Sequence, residues 1–324
     1  MIKTHGMISE KEFIEIKKLK VKPGKKIRLK DYPTDYSGKT LNKRLAEGLL
    51  EEGRKHLALV QDKLYAQNRY SVLIIFQAMD AAGKDSAVKH IMSGFNPLGV
   101  KVYSFKTPST HELDHHYLWR HYLTLPARGE IAIHNRSHYE NVLVTRVHPE
   151  YILKEHLPKI DSVEKINKTF WEDRFKQINL FEKTLNQNGT IILKFFLHLS
   201  KKEQKKRFLE RIDDPSKNWK FAFGDLAERA HWDEYQNAYE KAISATSKKF
   251  APWFVIPADD KWYARLAIAA VIYQQFEELE ISYPDVNEVQ KADLLKARLQ
   301  LMEEDQEGKT GKKKKRGVKR TPPE

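Results

Sequence analysis

One segment of this 324-residue chain constrains its fold more than any other, a short apolar run that leads directly into a loop of small residues. The run 71–77 (SVLIIFQ) is rich in β-branched residues and does not alternate with polar ones. It predicts a strand buried on both faces, as in a parallel sheet. The loop 78–87 (AMDAAGKDSA) carries a Gly-Lys pair and precedes a predicted helix. This order indicates a phosphate-binding turn, because small residues let backbone N–H groups approach phosphate while the helix N-terminus and the lysine add positive charge.

The loop departs from the common phosphate-loop pattern GxxxxGK[ST]. Ala78 replaces the first glycine, Asp85 stands where a magnesium-binding hydroxyl is usual, and Ser86 follows one place later. The alternative interpretation is an ordinary strand-to-helix turn with a surface lysine. The phosphate-loop interpretation predicts phosphate contacts from Ala81, Ala82, Gly83, Lys84 and Ser86.

Two carboxylates, Asp80 and Asp85, flank Lys84 in this loop. Carboxylates would repel phosphate unless a hard divalent cation lay between them, and magnesium prefers carboxylate, water and phosphate oxygens. We therefore expect Asp80 and Asp85 to hold Mg²⁺, with Mn²⁺ as the alternative ion. The competing interpretation of Asp85 is an acidic residue in the first turn of a helix, where the helix dipole favours it.

Further apolar runs alternate with segments of helical periodicity. Strands are predicted at 71–77, 100–105, 130–134, 190–198 and 253–256, the fourth of them interrupted by Lys194. Helices are predicted at 41–67, 110–123, 162–187, 225–247, 260–280 and 285–305, with two more beginning near Ser137 and at Ser200. Strands that alternate with helices predict an α/β fold with a parallel central sheet covered on both faces.

The predicted strand 130–134 is followed by Asn135, Arg136 and Ser137, at the sheet edge where parallel strands bind ligands. Arg136 could bridge phosphates through its two-pronged guanidinium. Asn135 is neutral and could assist a metal only through its amide oxygen. Glu140 lies one helical turn beyond Arg136, so it either faces the same cleft or only pairs with that arginine.

The net charge of +14 is concentrated at the two ends of the chain. Residues 1–30 hold ten Lys/Arg against three acids and residues 308–324 hold eight against one, so the region between them is balanced. The last segment is almost free of apolar residues, which predicts disorder. The predicted organisation is a basic arm at 1–40, one catalytic domain at 41–283, a charged helix at 284–307 and a disordered basic tail at 308–324.

Composition excludes several classes of protein. The chain has no cysteine, which rules out a disulfide scaffold, cysteine metal sites and thiol catalysis. Its apolar runs are too short for a spanning helix, and the first residues lack the apolar segment of a secretory signal. Eight histidines lie between 111 and 156 without zinc-site spacing, so we expect them to pack. We predict a cytoplasmic protein without membrane partners.

Five long motifs resemble the polyphosphate kinase 2 family. They are QAMDAAGKD, YLWRHYLTLPARGEIAIHNRSHYENVLVTRVHPEY, KFFLHLSKKEQKKRFLERIDDPSKNWKF, DLAERAHWDEYQNAY and APWFVIPADDKWYARL. Their order and spacing are those of the family, and together they cover roughly 70–275. Motifs of this length are far more specific than a phosphate loop alone.

The resemblance implies a fold and an activity. The fold is P-loop kinase-like, a three-layer α/β/α domain with a helical lid at about 200–230. The activity is magnesium-dependent, reversible phosphoryl transfer from inorganic polyphosphate to AMP and ADP, giving ADP and ATP. Asparagine at Asn135, where other members have aspartate, resembles the subgroup that phosphorylates both nucleotides. A homo-oligomer (dimer or tetramer) and no specific nucleic acid partner are expected.

The resemblance also implies roles for individual residues. The catalytic residues would be Asp80, Lys84, Arg136 and Arg211, and the nucleotide-side residues would be Asn135 and Glu140. Ala87 departs from the family, in which many members have threonine, and leaves hydroxyl help to Ser86.

A basic helix beginning at Ser200 fits the lid. Arg207 and Arg211 are four residues apart and share a helix face, so together with Lys205 they could grip a polyphosphate chain. The alternative is a solvated charged helix. Outside the lid, Arg120 is the residue near Trp119 that we expect to reach a phosphate.

Two rival functions remain open. An ATP-dependent nucleoside monophosphate kinase of the same fold would need a purine pocket on the donor side, whereas a polyphosphate enzyme needs only a basic channel. A non-catalytic RNA-binding or polyanion-binding protein would use the basic ends, and its binding would survive loss of Lys84.

Overall fold

A five-stranded parallel sheet forms the centre of the first of two units, which ends at Ser282. The computed structural model describes the backbone of residues 15–314 and the side chains of 15–304. The strands lie in the order β2-β3-β1-β4-β5. Their bounds are Ser71–Ala78 (β1), Val100–Ser104 (β2), Ile131–Asn135 (β3), Thr190–His198 (β4) and Trp253–Pro257 (β5). All neighbouring strands are parallel, which confirms the predicted α/β class.

The central strand β1 explains the layers on either side of the sheet. Every one of its residues is buried, and successive side chains point to opposite faces. Val72 and Ile74 join an apolar cluster with helices before and after the phosphate loop, whereas Leu73 and Ile75 join a second cluster on the other face. The helices therefore cover both faces, as predicted.

The helices of the chain vary widely in length. They are Ile16–Leu19 (α1), Lys43–Gln67 (α2), Lys84–Met92 (α3), Thr110–Leu113 (α4), Trp119–Tyr122 (α5), Val144–Val147 (α6), Glu150–Leu153 (α7), Lys168–Gln187 (α8), Lys201–Asp213 (α9), Phe223–Ala230 (α10), Trp232–Thr246 (α11), Lys261–Glu277 (α12) and Glu288–Lys314 (α13). Helices α2, α3 and α12 lie on one face of the sheet, and α8 and α11 lie on the other.

Three predicted helices differ from the observed ones. The predicted helix 110–123 is two single turns, α4 and α5, and the helix predicted near Ser137 is a 3₁₀ helix, His138–Val142, followed by α6. The predicted helix 225–247 is divided into α10 and α11. Helix α10 ends at Ala230 and buries none of its residues, whereas α11 begins at Trp232 and buries seven.

The predicted basic arm belongs, in its described part, to the domain. The Val21 side chain is fully buried and its N–H donates to the Trp253 carbonyl of β5 (2.9 Å). The Leu29 N–H donates to a Glu240 carboxylate oxygen (2.7 Å). The lysines of residues 15–30 are exposed, whereas the apolar side chains of this segment pack over the sheet. Residues 1–14 lie outside the described part of the chain.

The second unit begins at Tyr283 and contains α13. The helix predicted at 285–305 is present, but it continues to Lys314, past the predicted boundary at 307. Lysine is a good helix former, so the absence of apolar residues does not end the helix. Residues 315–324 of the predicted tail lie outside the described part of the chain. Within residues 15–314, no helix has both the length and the apolar character needed to cross a bilayer.

Candidate active site

A cleft of about 460 Å³ opens at the carboxyl ends of β1 and β3. One wall comes from the residues after these strands, another from the loop around α4 and α5, and a third from α9, α10 and α11. Its charged lining residues are the carboxylates Asp80, Glu112, Glu140, Glu155, Asp225 and Glu228 and the cations Lys106, Arg120, Arg136, Lys154 and Arg229. The cleft therefore lies at the sheet edge that the sequence predicts, but its charge is balanced.

The phosphate loop has an unusual backbone. Gly83 has a φ of 99° and Ala81 a φ of 61°, both in the left-handed region. Glycine adopts this region freely, but alanine does so at a cost, and such strain tends to occur at functional loops. Helix α3 begins at Lys84, so its unpaired first-turn N–H groups follow the loop directly.

Lys84 lies across its own loop. Its Nζ donates to the Ala78 carbonyl at 2.9 Å, and the side chain is half-buried. Burial lowers the pKa of Lys84, although the nearby carboxylates, Asp80 first among them, act in the opposite direction. An incoming phosphate oxygen would give this ammonium the anionic partner that the Ala78 carbonyl does not supply.

Asp80 and Arg136 form an ion pair inside the cleft, with Nη2 of the arginine 3.3 Å from Oδ1 of the aspartate. Arg136 has a φ of 63°, which turns its side chain into the cleft directly after β3. Burial alone would lower the pKa of Arg136, but the carboxylates of Glu140 and Asp80 raise it. Arg136 is thus a fully charged group held between two carboxylates.

Glu140 lines the same cleft as Arg136. Burial raises the pKa of Glu140, and the opposing effects of Arg136 and Lys84 do not cancel it. The ion pair of Arg136 is made with Asp80. This geometry favours the interpretation in which Glu140 faces the ligand.

Asn135 and Asp85 contact each other instead of the cleft. Nδ2 of Asn135 donates to Oδ1 of Asp85 at 2.6 Å, and neither residue lines the cavity. This geometry does not favour the predicted nucleotide role of Asn135, which stays a prediction, because alternate residues point to opposite faces and Arg136 occupies the cleft side. The predicted metal pair is also divided, since Asp80 faces the cleft and Asp85 does not.

Arg207 was expected to bind polyphosphate, but its side chain is directed at the backbone of the phosphate loop. Its side chain is 4% exposed, and its Nη atoms donate to four backbone carbonyls at 2.7–3.1 Å. Those carbonyls belong to Ala81, Ala82, Ala258 and Asp259. Its Nε donates to Glu203 at 3.0 Å. Because its donors are engaged, Arg207 braces the phosphate loop in this geometry, and its contact with polyphosphate stays a prediction that the geometry does not favour.

The remaining predicted residues have varied positions. Arg211 donates to Asp225 at 3.3 Å within the lid, and Ser86 accepts a hydrogen bond from Arg265 at 2.7 Å. Arg120 lines the cleft and pairs with Glu112 at 3.1 Å. Lys205 is exposed on α9.

Sequence reasoning missed the acidic face of α10. Asp225 and Glu228 both line the cleft, and burial, followed by the charge of Asp80, raises the pKa of Asp225. Glu228 accepts from the Tyr235 hydroxyl at 2.6 Å, and its carboxylate lies 3.0 Å from Nε2 of His148. The available signal was the three-residue spacing of Asp225 and Glu228, which places both on one side of a helix.

The chain is similar to known polyphosphate enzymes over most of its length. It matches the family described as Polyphosphate kinase 2 (PPK2) over residues 40–284. An ADP-polyphosphate phosphotransferase from Rhodopseudomonas palustris is 48% identical over 89% of this chain and 99% of that protein. An AMP/ADP-polyphosphate phosphotransferase from Meiothermus ruber is 43% identical over 83% of this chain and 96% of that protein.

A solved structure gives the same result. Polyphosphate Kinase 2 from Arthrobacter aurescens TC1 aligns with a TM-score of 0.76 and 38% identity, over 86% of this chain and 94% of that one. The family match includes the phosphate loop, the turn after β3 and the lid helices. From its motifs, its parallel sheet and these similarities, the chain belongs to the polyphosphate kinase 2 family.

Proposed function

We propose that this chain is an enzyme that transfers phosphoryl groups between inorganic polyphosphate and nucleotides, with AMP and ADP as acceptors. The observation that carries the proposal is the Asp80–Arg136 pair in a cleft at the start of the strained phosphate loop, whose Lys84 is hydrogen-bonded to the cleft residue Ala78, in a member of this family. A loop that offers backbone N–H groups and a lysine suits a phosphate chain, and an arginine beside it suits a second phosphate group.

The reaction is a direct displacement. A terminal phosphate oxygen of AMP or ADP attacks the last phosphorus of the polyphosphate chain. The bond from that phosphorus to the bridging oxygen breaks, and the shortened chain leaves with the electron pair. The reverse reaction uses the same groups. No covalent intermediate on the protein is required, so we assign no nucleophile.

The cleft residues would act by position and charge. Lys84 neutralises the oxygens of the transferred group, and Arg136 stabilises the charge that builds between donor and acceptor. The lid helices close one side of the cleft through Asp225, Glu228 and Arg229. Closure would keep water from competing with the nucleotide as the acceptor.

The charge of the cleft fits a requirement for magnesium. Six carboxylates face five lysine and arginine side chains, so the cleft lining has no excess of positive charge with which to hold a polyanion. Among the residues with described side chains, no three or more His, Asp or Glu form a ready metal cage. Magnesium suits such a site, because it usually binds one or two carboxylates together with waters and substrate phosphates. Asp80 would hold it, with Asp225 as a second carboxylate in the cleft. The ion would screen the charges of the two anionic substrates.

Both AMP and ADP are proposed as acceptors. The Rhodopseudomonas relative is named for ADP and the Meiothermus relative for AMP and ADP, and the chain is comparably similar to both. Glu140, next to Arg136 in the cleft, is the residue that we assign to the acceptor side. The cytoplasmic location and the homo-oligomer stay predictions, which fractionation and light scattering would test.

The donor is tested by offering AMP together with either polyphosphate or ATP, in the presence of magnesium. Formation of ADP and then ATP from polyphosphate is the expected result. ADP formation only with ATP would favour the nucleoside monophosphate kinase instead.

A further inference from the structure

A completely buried ion pair lies between the sheet and helix α8. Lys194 is in the middle of β4 and Glu182 is in α8, and neither side chain is exposed to solvent. Nζ of the lysine is 2.6 Å from Oε2 of the glutamate. Lys194 is the residue that interrupts the apolar run of β4, and the proposed reaction makes no use of it.

Every proton of the Lys194 ammonium has an acceptor. Besides Glu182, Nζ donates to the Tyr139 hydroxyl at 2.9 Å and to the Thr246 carbonyl at 2.8 Å. The Tyr139 hydroxyl donates in turn to Oε1 of Glu182 at 2.7 Å. These three acceptors use all three donors of the ammonium. The Tyr139 hydroxyl both accepts from Lys194 and donates to Glu182, so it is held in one orientation.

The pair is ionised near neutral pH. Burial lowers the pKa of Lys194 to about 8, and Glu182 works against that effect. Burial alone would raise the pKa of Glu182, but the charge of Lys194 and the proximity of His138, whose Nε2 lies 3.4 Å from Oε1, lower it. An ionised pair in a dry interior is a poor source of stability, because loss of hydration offsets its attraction. The structural effect of the pair lies in the groups to which it is hydrogen-bonded.

Both members of the pair are hydrogen-bonded to a residue of the turn after β3. Tyr139 lies in this turn, next to Glu140 and three residues after Arg136, and its ring is fully buried. Arg136 and Glu140 face the cleft, so buried and cleft-facing side chains share one short segment. The left-handed φ of Arg136 is a strained conformation, which persists only where the surroundings over-determine it.

We propose that Lys194 and Glu182 are positioning residues, which act through the Tyr139 hydroxyl to fix the turn that presents Arg136 and Glu140 to the nucleotide. The inference rests on the proposed function for the identity of the substrate. It predicts that the hydrogen bonds among Lys194, Glu182 and Tyr139 contribute more to catalysis than to the stability of the fold.

Two variants separate these contributions. Tyr139→Phe removes the hydroxyl and keeps the ring. The double variant Lys194→Met with Glu182→Leu removes both charges together, so no unpaired charge remains buried. A matched control is Ser71→Ala, which deletes a buried hydroxyl that lies 3.0 Å from the Thr190 hydroxyl at the opposite end of the sheet.

Three measurements are made on each variant: the melting temperature, ADP affinity by calorimetry without any donor, and kcat with ADP and polyphosphate. We expect Tyr139→Phe and the double variant to lose at least tenfold in kcat and fivefold in ADP affinity. The double variant should nevertheless melt within a few degrees of the parent. Ser71→Ala should keep kcat and ADP affinity within twofold, whatever its melting temperature.

Parental kcat and ADP affinity in the folded double variant would overturn the inference, and so would an equal loss of activity in Ser71→Ala. If the double variant does not fold, Tyr139→Phe decides by the same criteria. Calorimetry without a donor keeps this test separate from the proposed function, which fails instead if the parent makes no ATP from polyphosphate.

Discussion

The guanidinium of Arg207 is hydrogen-bonded to the phosphate loop, with Nη1 2.9 Å from the carbonyl oxygen of Ala82. The contact joins the first turns of the lid helix α9 to the loop that would hold the donor phosphate. Gln204, on the same helix, adds a second link by donating to the Asp80 carbonyl at 2.9 Å. The Ala82 N–H donates to the Met79 carbonyl at 3.3 Å, so an anion would be held by other N–H groups of the loop and of the first turn of α3.

The first prediction follows from this brace. Arg207→Lys keeps the charge but cannot reach four carbonyls at once, and unsatisfied buried groups cost about 1–3 kcal/mol each. We expect a lower melting temperature and a loss of at least two orders of magnitude in kcat/KM. Lys202→Ala, an exposed substitution on the same helix, is the control and should change stability by less than about 0.5 kcal/mol. Normal turnover in a folded Arg207→Lys variant would show that the loop does not depend on the brace.

The second prediction concerns Lys84. Burial disfavours its ammonium in the free protein, so its removal costs little in folding and much in the transition state. Lys84→Ala should melt close to the parent and lose at least two orders of magnitude in activity, about 3 kcal/mol. Lys89→Ala, which removes an exposed lysine from the same helix, should behave like the parent. Near-parental turnover of Lys84→Ala would mean that the loop is not the active site.

The third prediction concerns the acceptor. AMP and ADP place their terminal phosphates at different depths, and one carboxylate cannot serve both equally. Glu140→Gln should therefore change the ratio of kcat/KM for AMP and ADP, and a tenfold change corresponds to about 1.4 kcal/mol. An equal loss of kcat/KM for both nucleotides would indicate that Glu140 has only a structural role.

The same carboxylate predicts a pH dependence. Because burial raises the pKa of Glu140, its charged form is lost at a higher pH than that of an ordinary glutamate as the solution is acidified. As the pH is lowered, kcat/KM of the parent should therefore begin to fall at a higher pH than an ordinary glutamate would give. Glu140→Gln should lack this part of the fall. An identical acid limb in both proteins would assign it to the substrate phosphates.

The fourth prediction concerns magnesium. Asp80 faces the cleft, whereas Asp85 accepts a hydrogen bond from Asn135 outside it. Asp80→Asn should raise the magnesium concentration at half-maximal rate at least tenfold, and Asp85→Asn should leave that concentration within twofold. Equal shifts in the two variants would restore the metal pair that the sequence alone suggested.

The sheet and the location of the cleft could be predicted from the sequence, because both follow from short-range patterns. Continuous apolar runs mark the strands, and parallel topology brings Asp80, Lys84 and Arg136 to one edge. Arg207 could not be assigned in this way, because a basic helix has the same composition whether its arginines face solvent or backbone carbonyls.

Contacts between distant segments explain the other differences. Asp225 and Glu228 line the cleft from α10, a separate helix that ends at Ala230, and no periodicity within this segment indicates that the helix is divided there. Asn135 was expected in the cleft because it follows the predicted strand 130–134, yet it is the last residue of β3 and its amide is directed to Asp85 of α3. The direction of one side chain depends on register, which the sequence motif does not contain.

The most direct test of the central claim is the stoichiometry of ATP formation from ADP and polyphosphate of defined length, with magnesium and without any added ATP. The account predicts that each ATP formed shortens the polyphosphate pool by one phosphate unit, with no release of orthophosphate and no activity in Lys84→Ala. ATP formation that does not depend on polyphosphate, or shortening of polyphosphate that yields only orthophosphate, would contradict it.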